Sequence, residues 1–465
     1  MTNLTLTATT ALTQFIHKTQ RSDIPAAVAK RGVQAIIDGL ACMLAGAASD
    51  VGEVLQKWSA HSGAGEEATI VGASGRTSAP VAPLVNGSAG HALDYDDTQL
   101  SSKPDRAHGL LTHPTIPPLA AALAVSDLKK ISAAEFLTDF VVGVEVSCTV
   151  AEAMDPDHYL RGFHSTDTIG VFGATATACK LLGLSEDEIR AALGIAASQP
   201  TGIRANFGTM MKPFHAGRAA ENGLVAAQLA SHGYSGDPNA LDGRWGYLQV
   251  AGGPRSEPDW IISKLGNPYS LVDPGVSIKP YPCGSLEHPT MDTFLDMVLA
   301  EDLQPDQVKK ITVRAGSNIL DPLRYARPKT ELEAKFSLPF SLAVLLLKRR
   351  AGLAEFQDEV VNAPDVREHM ELVELIRDQE IEDKGFDRMR SRIEIELKDG
   401  RTLAQDADVS RGSPDRPMST EDIFTKFDEC ARESLNADQR QACVEHLRDF
   451  EALDDMGVLL SAMAG

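Results

Sequence analysis

Residues 132–154 read SAAEFLTDFVVGVEVSCTVAEAM, a long apolar segment with the start signal of a helix. Ser132 and Glu135 have the spacing of a capping box, in which each side chain accepts a hydrogen bond from the other residue's backbone N–H. Other segments rich in small and apolar residues show the same helical spacing: 23–46, 80–93, 117–125, 166–182 and 214–232. The first part of the chain is therefore predicted to be nearly all helix.

The composition agrees with a closely packed, helix-rich protein. The 465 residues are 43% hydrophobic but only 5% aromatic, and alanine and glycine are abundant. Helices built from such small residues can approach each other closely. The length is sufficient for two or three domains, at least one of them with a large core.

The pattern changes after Gly252-Gly253-Pro254, which is a candidate domain boundary. Residues 308–314 and 392–397 alternate as β-strands do, and the hairpin signal Asp399-Gly400 follows the second of them. Helical segments lie between the predicted strands: 286–300, 331–349 and 366–376.

From residue 419 the pattern is helical again, so both ends of the chain belong to the helical part. The predicted fold class is mostly α with a smaller α+β part. We predict a large all-helical domain made of residues 1–260 and 405–465. The smaller α+β domain, residues 261–404, is inserted into it.

The charge of the chain limits its partners. The formal net charge is −21, from 44 basic and 65 acidic residues. Such a surface repels phosphate backbones, so nucleic acid is not an expected partner. An anionic substrate would need a local pocket of positive charge.

The cysteines and the apolar runs indicate a cytoplasmic protein. The six cysteines form no CxxC pair, which is typical of reduced thiols. Residues 1–14 lack a basic stretch followed by an apolar one, so no signal peptide is expected. No apolar run reaches the roughly 18 residues that a membrane helix needs, and we expect no membrane partner.

The segment from His91 to Thr98 reads HALDYDDT, and Thr112-His113-Pro114 follows it. Three aspartates in four positions are solvated acids at a helix end, metal ligands or catalytic carboxylates. Their spacing matches neither an EF-hand nor an HExxH site. We therefore predict no metal here, and the solvated and catalytic interpretations both stay open.

Two further segments place a base or a cation at a predicted helix start. His164 precedes a small-residue helix, whose positive N-terminal potential favours the neutral imidazole that can act as a base. Lys212 stands before Pro213 at the start of another helix, where it can face an anion. A structural histidine and a solvated lysine are the alternatives.

Residues 279–284 read KPYPCG, a rigid loop before a helix. Lys279 follows an apolar stretch and is expected to be partly buried. Cys283 is a weaker candidate, as a nucleophile near a helix start, and His288 is a reserve candidate beside it. The chain has no GxGxxG after a strand, no GxxxxGK[ST] and no GxSxG, so nucleotide cofactors and acyl hydrolysis lack support.

Taken in order, these segments resemble the MmgE/PrpD family, which includes 2-methylcitrate dehydratases, cis-aconitate decarboxylases and iminodisuccinate epimerases. The matching phrases run over nearly the whole chain: HALDYDDT, THPTIPPLAAAL, GFHSTDTIGVFGATATACKLLGL, MMKPFHAGRAAENG, IKPYPCG, YARPKTELEAKFSLPF and RGSPDRPMSTEDIFTKF. The resemblance implies a helical domain, a smaller α+β domain, a pocket between them and a homodimer.

The resemblance also implies the site residues. The positions that match the family's catalytic groups are Asp94, His113, His164 and Lys212, and those that match its substrate-binding groups are Thr98, Lys279 and Tyr325. Two features depart from the family patterns. The loop before His113 is longer than in the decarboxylases, with residues 101–111 inserted, and KPFHAGRAAENG is closer to the epimerase branch than to the dehydratases.

These three activities share one chemistry. Each removes a proton or a carboxylate from a carbon beside a carboxyl group, and the resulting anion needs cations or hydrogen-bond donors and a nearby base. We predict a cofactor-independent epimerase of a small anionic polycarboxylate, similar to iminodisuccinate epimerase. The alternatives are a 2-methylcitrate-type dehydratase or cis-aconitate-type decarboxylase, and a carboxylate-binding protein without catalysis.

Overall fold

A computed structural model describes residues 6–62, 65–99, 101, 103, 112–154, 156–386 and 388–465. The chain divides into two compact units. The first contains the described residues of 1–102, 111–276 and 419–465, and the second contains Lys103 and residues 277–418. The first unit is almost entirely helical and the second is α+β, so the predicted fold class is confirmed.

The first unit begins with the helices α1 (Ala8–Lys18), α2 (Ala26–Ala47), α3 (Asp50–His61), α4 (Val81–Ala92), α5 (Ile116–Leu128), α6 (Ala133–Ala153), α7 (Asp157–Leu160), α8 (Ser165–Thr168), α9 (Gly170–Leu182), α10 (Glu186–Ala196), α11 (Met211–Ser231) and α12 (Pro258–Lys264). The second unit contains α13 (His288–Ala300), α14 (Ser317–Leu320), α15 (Glu331–Ala334), α16 (Leu338–Lys348), α17 (Asp358–Val361), α18 (Pro364–Met370) and α19 (Gln379–Glu382). The first unit resumes with α20 (Thr420–Ala431), α21 (Ala437–Arg448) and α22 (Met456–Ala462).

The strands are β1 (Ala68–Thr69), β2 (Arg76–Thr77), β3 (Thr98–Gln99), β4 (Val276–Ser277), β5 (Val308–Ala315), β6 (Val373–Arg377), β7 (Ser391–Leu397) and β8 (Thr402–Ala407). Only β5 to β8 form an extended sheet among the residues that the structure describes.

The helix predicted at residues 132–154 lies in the middle of the first unit. It packs against α5 and α9, and α9 packs against α11. The Ser132 hydroxyl accepts a hydrogen bond from the Glu135 N–H at 3.2 Å, which is one half of the predicted capping box. Nearly all residues of α6 are buried. This burial explains why apolar residues occur on every side of the helix.

Two glycines allow α4 and α11 to approach each other closely. A Cβ atom built on Gly217 would lie 2.2 Å from the carbonyl oxygen of Leu84, and one on Gly87 would lie 2.8 Å from the Gly217 Cα. Both distances are far below van der Waals contact with backbone atoms that cannot move independently. The contact therefore sets the spacing between the helices that carry His91 and Lys212.

We expect Gly217→Ala to lower the free energy of unfolding by about 1–3 kcal/mol, the usual effect of overpacking a tight site. Urea unfolding followed by circular dichroism measures the change. The control is Gly75→Ala, because a Cβ atom there has only the Ile70 Cδ1 atom nearby, at 3.9 Å. Equal stability of the two variants would contradict the close-approach interpretation.

The second unit is built on a four-stranded sheet in the order β6-β5-β7-β8. The central strands β5 and β7 are antiparallel, with Ile311 opposite Ile395. The predicted hairpin is present between β7 and β8, and Gly400 adopts a positive φ of 95° in its turn. Buried residues of the sheet, α13 and α16 form one hydrophobic core.

Two predicted helices of the second unit are wrong in part. The sequence predicts a helix at 366–376, but α18 ends at Met370 and residues 373–377 form β6, an edge strand parallel to β5. Its partner is some 60 residues away in sequence, so local periodicity does not reveal the pairing. The predicted helix at 331–349 is divided into α15 and α16, because Ser337 caps the second by accepting from the Phe340 N–H at 3.3 Å.

The first unit ends at residue 276 and resumes at residue 419. The sequence instead predicts the domain boundaries near residues 260 and 405. Residues 261–276 stay with the first unit because Glu145 of α6 accepts the N–H groups of Gly266 at 2.9 Å and Ser270 at 2.7 Å. Residues after β8 stay with the second unit because Gly412 accepts the Ile278 N–H at 3.0 Å.

Within the described ranges, no single helix is long and apolar enough to cross a membrane. The consecutive helices α2 and α3 meet the length and composition limits only as a pair, bent by 78°.

Candidate active site

The DYDD segment leaves α4 through an unusual backbone conformation. Leu93 follows the helix, and Asp94 has a φ of +52°, in the left-handed region. Aspartate tolerates this region better than most residues, but it remains uncommon and often occurs at functional sites. The Asp94 carboxylate lies 2.9 Å from the Lys212 Nζ atom.

A buried lysine from the C-terminal part of the chain holds this segment. Lys426 of α20 donates a hydrogen bond to the carbonyl oxygen of Tyr95 at 2.8 Å and pairs with Asp38 at 2.6 Å. Burial alone lowers the pKa of Lys426, but the Asp38 carboxylate raises it above its usual value overall. Lys426 is therefore a charged group that fixes the backbone between Asp94 and Asp96.

The third aspartate of the segment, Asp97, has the surroundings of a structural residue. Asp97 is fully buried and accepts a hydrogen bond from the Thr115 hydroxyl at 2.5 Å. Burial raises the pKa of Asp97 well above its usual value, and the hydrogen bond from Thr115 opposes this only in part. Asp97 thus links the segment to the start of α5.

His91, Asp96 and His113 form a compact group. His91 Nδ1 lies 2.9 Å from both oxygens of the Asp96 carboxylate, and His113 Nδ1 lies 3.3 Å from one of them. The two imidazole rings meet edge to face, with centroids 4.4 Å apart. The side chains of His91 and Asp96 are almost completely buried, whereas that of His113 is 14% exposed. His113 is therefore the most accessible member of this group.

Burial is the largest single influence on the pKa of His91 and on that of Asp96, although at Asp96 two neighbouring histidines together outweigh it. Burial raises the pKa of Asp96, but His91 and His113 more than offset it and hold this pKa well below its usual value. Burial lowers the pKa of His91 to about 4, against the attraction of Asp96. At neutral pH, a carboxylate anion therefore faces a neutral imidazole, and the hydrogen on His91 is assigned to Nδ1 because a carboxylate only accepts.

Lys212 lies in the first turn of α11, which begins at Met211 and thus earlier than the predicted start at residue 214. Its Nζ atom is 2.9 Å from one Asp94 oxygen, and His113 Nε2 is 4.0 Å from the same oxygen. Lys212 is only 7% exposed. It is therefore a buried, paired cation and not the solvated lysine of the alternative interpretation.

A second pair of imidazoles lies beside the first. His164 Nδ1 is 3.0 Å from His215 Nδ1, and the His164 ring stacks on His91 with centroids 5.6 Å apart. Burial lowers the pKa of His215 to about 4, and burial followed by the repulsion of His91 and Lys212 holds that of His164 well below its usual value. The sequence predicts a neutral His164 from a helix dipole, but α8 has only four residues and burial is the main cause.

Four of the predicted residues are thus brought together in the first unit: Asp94, His113, His164 and Lys212. Three members of this cluster are not among the predicted site residues: His91, Asp96 and His215. His215 follows Lys212 by three positions on α11, so helical spacing could have identified it. His91 and Asp96 stand in the HALDYDDT phrase, but only the fold shows that they pair.

The predicted substrate-binding residues lie in different units. Thr98 is buried at the start of β3 in the first unit, whereas Lys279 and Tyr325 belong to the second. The Lys279 Nζ atom donates to the carbonyl oxygen of Cys283 at 3.1 Å, and Tyr325 is half-buried beside Arg324. Their role in binding a substrate stays a prediction.

The reserve candidates have core-like surroundings. The Cys283 thiol is fully buried with its sulfur 3.6 Å from that of Met291, and His288 Nε2 lies 3.2 Å from the Cys283 carbonyl oxygen. All six cysteines are buried, and none of them forms a disulfide. A buried thiol among apolar groups is inert, which argues against Cys283 as a nucleophile.

The predicted insertion at residues 101–111 lies largely outside the described residues. Ser101 is described, and its hydroxyl donates to the Glu152 carboxylate at 3.2 Å. Lys103 is the other described residue of this segment.

Part of the cluster could hold a metal ion. One donor atom from each of His91, Asp94, Asp96 and His113 lies within 4.8 Å of the others. However, the Lys212 ammonium pairs with Asp94 and opposes a second cation there, and Asp96 already accepts from His91. The donor set therefore fits acid–base chemistry better than metal binding. The absence of a required metal or organic cofactor stays a prediction.

We expect turnover to be unchanged after dialysis against a strong chelator, because Lys212 already supplies the positive charge at Asp94. Metal content measured by mass spectrometry before and after dialysis gives the control. Loss of turnover that one divalent ion restores would contradict this expectation.

Residues 10–258 match the MmgE/PrpD N-terminal domain, and residues 281–449 match the MmgE/PrpD C-terminal domain. The chain therefore belongs to the MmgE/PrpD family, as its motifs indicate. Both matches together cover most of the two units.

Individual relatives match nearly the full chain. The human protein named cis-aconitate decarboxylase is 29% identical over 461 residues, which are 97% of this chain and 93% of the human one. The mouse protein of that name is 28% identical, with 97% and 92% covered. The Aspergillus terreus protein of that name is 25% identical, with 95% and 92% covered.

Proposed function

We propose that this protein is a cofactor-independent lyase that decarboxylates a small unsaturated polycarboxylate of the cis-aconitate class. The observation that carries the proposal is the buried Lys212–Asp94 pair with His113 beside it, at 2.9 Å and 4.0 Å from one Asp94 oxygen. The names of the relatives support lyase chemistry, and their matches extend over both units.

Decarboxylation breaks the bond between a carbon and its carboxylate, and CO₂ leaves. The electron pair stays on the carbon framework, where a neighbouring double bond and carboxylate delocalise it. A cation stabilises this charge more strongly in a buried site than in water, because the local dielectric constant is lower. Lys212 is suited to this role because its ammonium group is held in the cluster by Asp94.

A proton must then form the new C–H bond, and its donor must recover a proton from water. His113 is the best placed group, because its Nε2 atom lies in the cluster and its side chain reaches solvent. Such a proton transfer contributes about 10²–10⁴-fold to the rate. His164 and His215, which are neutral and buried, line the same cluster.

The epimerase favoured by the sequence is the second candidate. Epimerisation needs one group that removes a proton and another that returns it to the opposite face. The His164–His215 pair, with Nδ1 atoms 3.0 Å apart, supplies imidazoles in addition to His113. The relatives' names support the lyase instead.

To test the proposal, the purified protein is incubated separately with cis-aconitate, 2-methylcitrate, citrate and iminodisuccinate. Each reaction is followed by NMR. Release of one CO₂ for each cis-aconitate consumed is the expected result. Loss of water from 2-methylcitrate or citrate would instead indicate a dehydratase, and inversion of iminodisuccinate without CO₂ would indicate the epimerase. Calorimetric binding without any turnover would indicate a carboxylate-binding protein.

We expect His113→Ala to lower kcat by about 10²-fold or more, because it removes the accessible proton-transfer group. Steady-state kinetics on the substrate identified above measures the change. His232→Ala is the control, since His232 is exposed beyond the end of α11. Near-normal turnover in a folded His113→Ala protein would exclude His113 as the proton donor.

Three further assignments accompany the proposal. Thr98, Lys279 and Tyr325 are proposed to bind the substrate carboxylates, following the resemblance. A homodimer is proposed on the same grounds, and a cytoplasmic location is proposed from the cysteines, the N-terminal residues and the lengths of the apolar runs. Analytical ultracentrifugation at micromolar concentration tests the dimer.

A further inference from the structure

Asp96 is shared by two imidazoles that differ in exposure. Its carboxylate is hydrogen-bonded to His91 Nδ1 at 2.9 Å and lies 3.3 Å from His113 Nδ1, at ion-pair distance but outside hydrogen-bond geometry. The His91 side chain is fully buried, whereas that of His113 is 14% exposed. Because a carboxylate only accepts hydrogen bonds, a nitrogen that faces it is best occupied by N–H. This arrangement leaves Nε2 of His113 to take up a proton from water and then deliver it to the substrate carbon.

The second ring nitrogen of His91 lies in an unfavourable environment. His91 Nε2 is buried and has no hydrogen-bond partner among the described residues. An unsatisfied buried polar atom is destabilising, because it has lost its hydrogen bonds to water without gaining others. A histidine that only fills the core would not be expected to carry this cost, since an apolar side chain of similar size avoids it.

His158 shows what a structural histidine of the same unit looks like. It is 2% exposed, and both of its nitrogens have partners. Its Nδ1 lies 2.8 Å from the Ala251 carbonyl oxygen and its Nε2 lies 2.8 Å from the Thr168 hydroxyl. The difference between His158 and His91 indicates that His91 is present for its Nδ1–H group.

We propose that His91 is a positioning residue of the proton-transfer step. Its Nδ1–H group fixes the Asp96 carboxylate, which in turn orients His113 with N–H at Nδ1 and presents Nε2 to the substrate. His91 is buried and acts through Asp96 and His113, so it does not touch the substrate itself. This role rests on the proposed lyase function, which it deepens.

Two substitutions at His91 distinguish the role of its Nδ1–H donor from that of the rest of the imidazole ring. His91→Asn keeps an N–H donor near the position of Nδ1 and removes the unsatisfied nitrogen. His91→Leu keeps a side chain of similar size and removes the donor. We expect His91→Leu to lower kcat by roughly 10- to 100-fold, the range seen when a residue that orients a metal-binding side chain is lost, with a smaller change in KM. His91→Asn should recover most of this loss.

The control variant is His158→Gln, which alters a buried histidine outside the cluster. Thermal unfolding of all three variants identifies losses of activity that come from misfolding. Equal kcat in His91→Leu and wild-type protein would overturn the proposal. Equal losses in folded His91→Leu and His91→Asn would overturn it as well, because the donor would then not matter.

A measurement without turnover separates this proposal from the proposed function. In protein labelled with ¹⁵N-histidine, the nitrogen shifts of His113, assigned with a His113→Gln variant, report which nitrogen carries the proton. We expect N–H at Nδ1 in wild-type and His91→Asn protein and a shift towards Nε2 in His91→Leu. The same tautomer in all three overturns the positioning role. The expected pattern in a protein that is inactive on every acid tested would support the positioning role and overturn only the lyase assignment.

Discussion

Replacing Lys212 with Met is expected to lower kcat by about 10²–10³-fold, the range seen when one group that stabilises transition-state charge is removed. Lys212 is 7% exposed and its ammonium group lies 2.9 Å from Asp94, so its charge acts in a site with little water. Single-turnover kinetics measures the chemical step and separates it from product release.

The main control addresses the unpaired charge that Lys212→Met leaves on Asp94. The double variant Asp94→Asn, Lys212→Met removes both charges, so it should regain stability but not activity. Lys180→Met is the matched control for a lysine outside the cluster, since Lys180 pairs with Asp139 at 3.8 Å in the same unit. A folded Lys212→Met protein with near-normal kcat would show that the charge at this position does not drive the reaction.

Replacing Lys426 with Met is expected to lower the free energy of unfolding by about 3–5 kcal/mol, the usual effect of breaking a buried ion pair on one side. The change removes the ion pair with the buried Asp38 carboxylate and the hydrogen bond to the Tyr95 carbonyl oxygen. It also removes the contact between the ammonium group and the Tyr95 ring, whose centroid lies 3.7 Å away. Urea unfolding monitored by circular dichroism measures the loss.

The double variant Asp38→Asn, Lys426→Met serves as the control for this prediction. It removes both charges, so its stability should exceed that of the single variant. Lys309→Met is the exposed counterpart, because Lys309 pairs with Glu396 on the surface and such pairs contribute at most about 1 kcal/mol. If Lys426→Met were no less stable than Lys309→Met, Lys426 would not anchor the segment.

The helical half of the fold could be predicted from the sequence because its signals are local. Capping residues such as Ser185 and Glu188, which form a capping box, lie within one turn of each other. The hairpin of β7 and β8 is also local, and its turn carries Asp399-Gly400. Strand β6 could not be predicted, because it is defined by pairing with a distant strand.

The candidate site likewise combines residues that local motifs indicate with residues that only the fold brings together. Asp94, His113, His164 and Lys212 were identified from motifs, and the structure gathers them in one cluster. The partners that set their charges could not be identified in this way. The pairing of Asp96 with His91 depends on a turn at positive φ, and the neutral state of His164 depends on burial by helices from separate parts of the chain.

The most direct test of the account is the reaction of wild-type protein with cis-aconitate in deuterium oxide, followed by ¹H and ¹³C NMR. If His113 and Lys212 support decarboxylation and protonation, CO₂ is released and each product molecule carries one deuterium on the newly protonated carbon. Deuterium exchange into unreacted acid without release of CO₂, or no reaction while the protein binds the acid, would contradict the account.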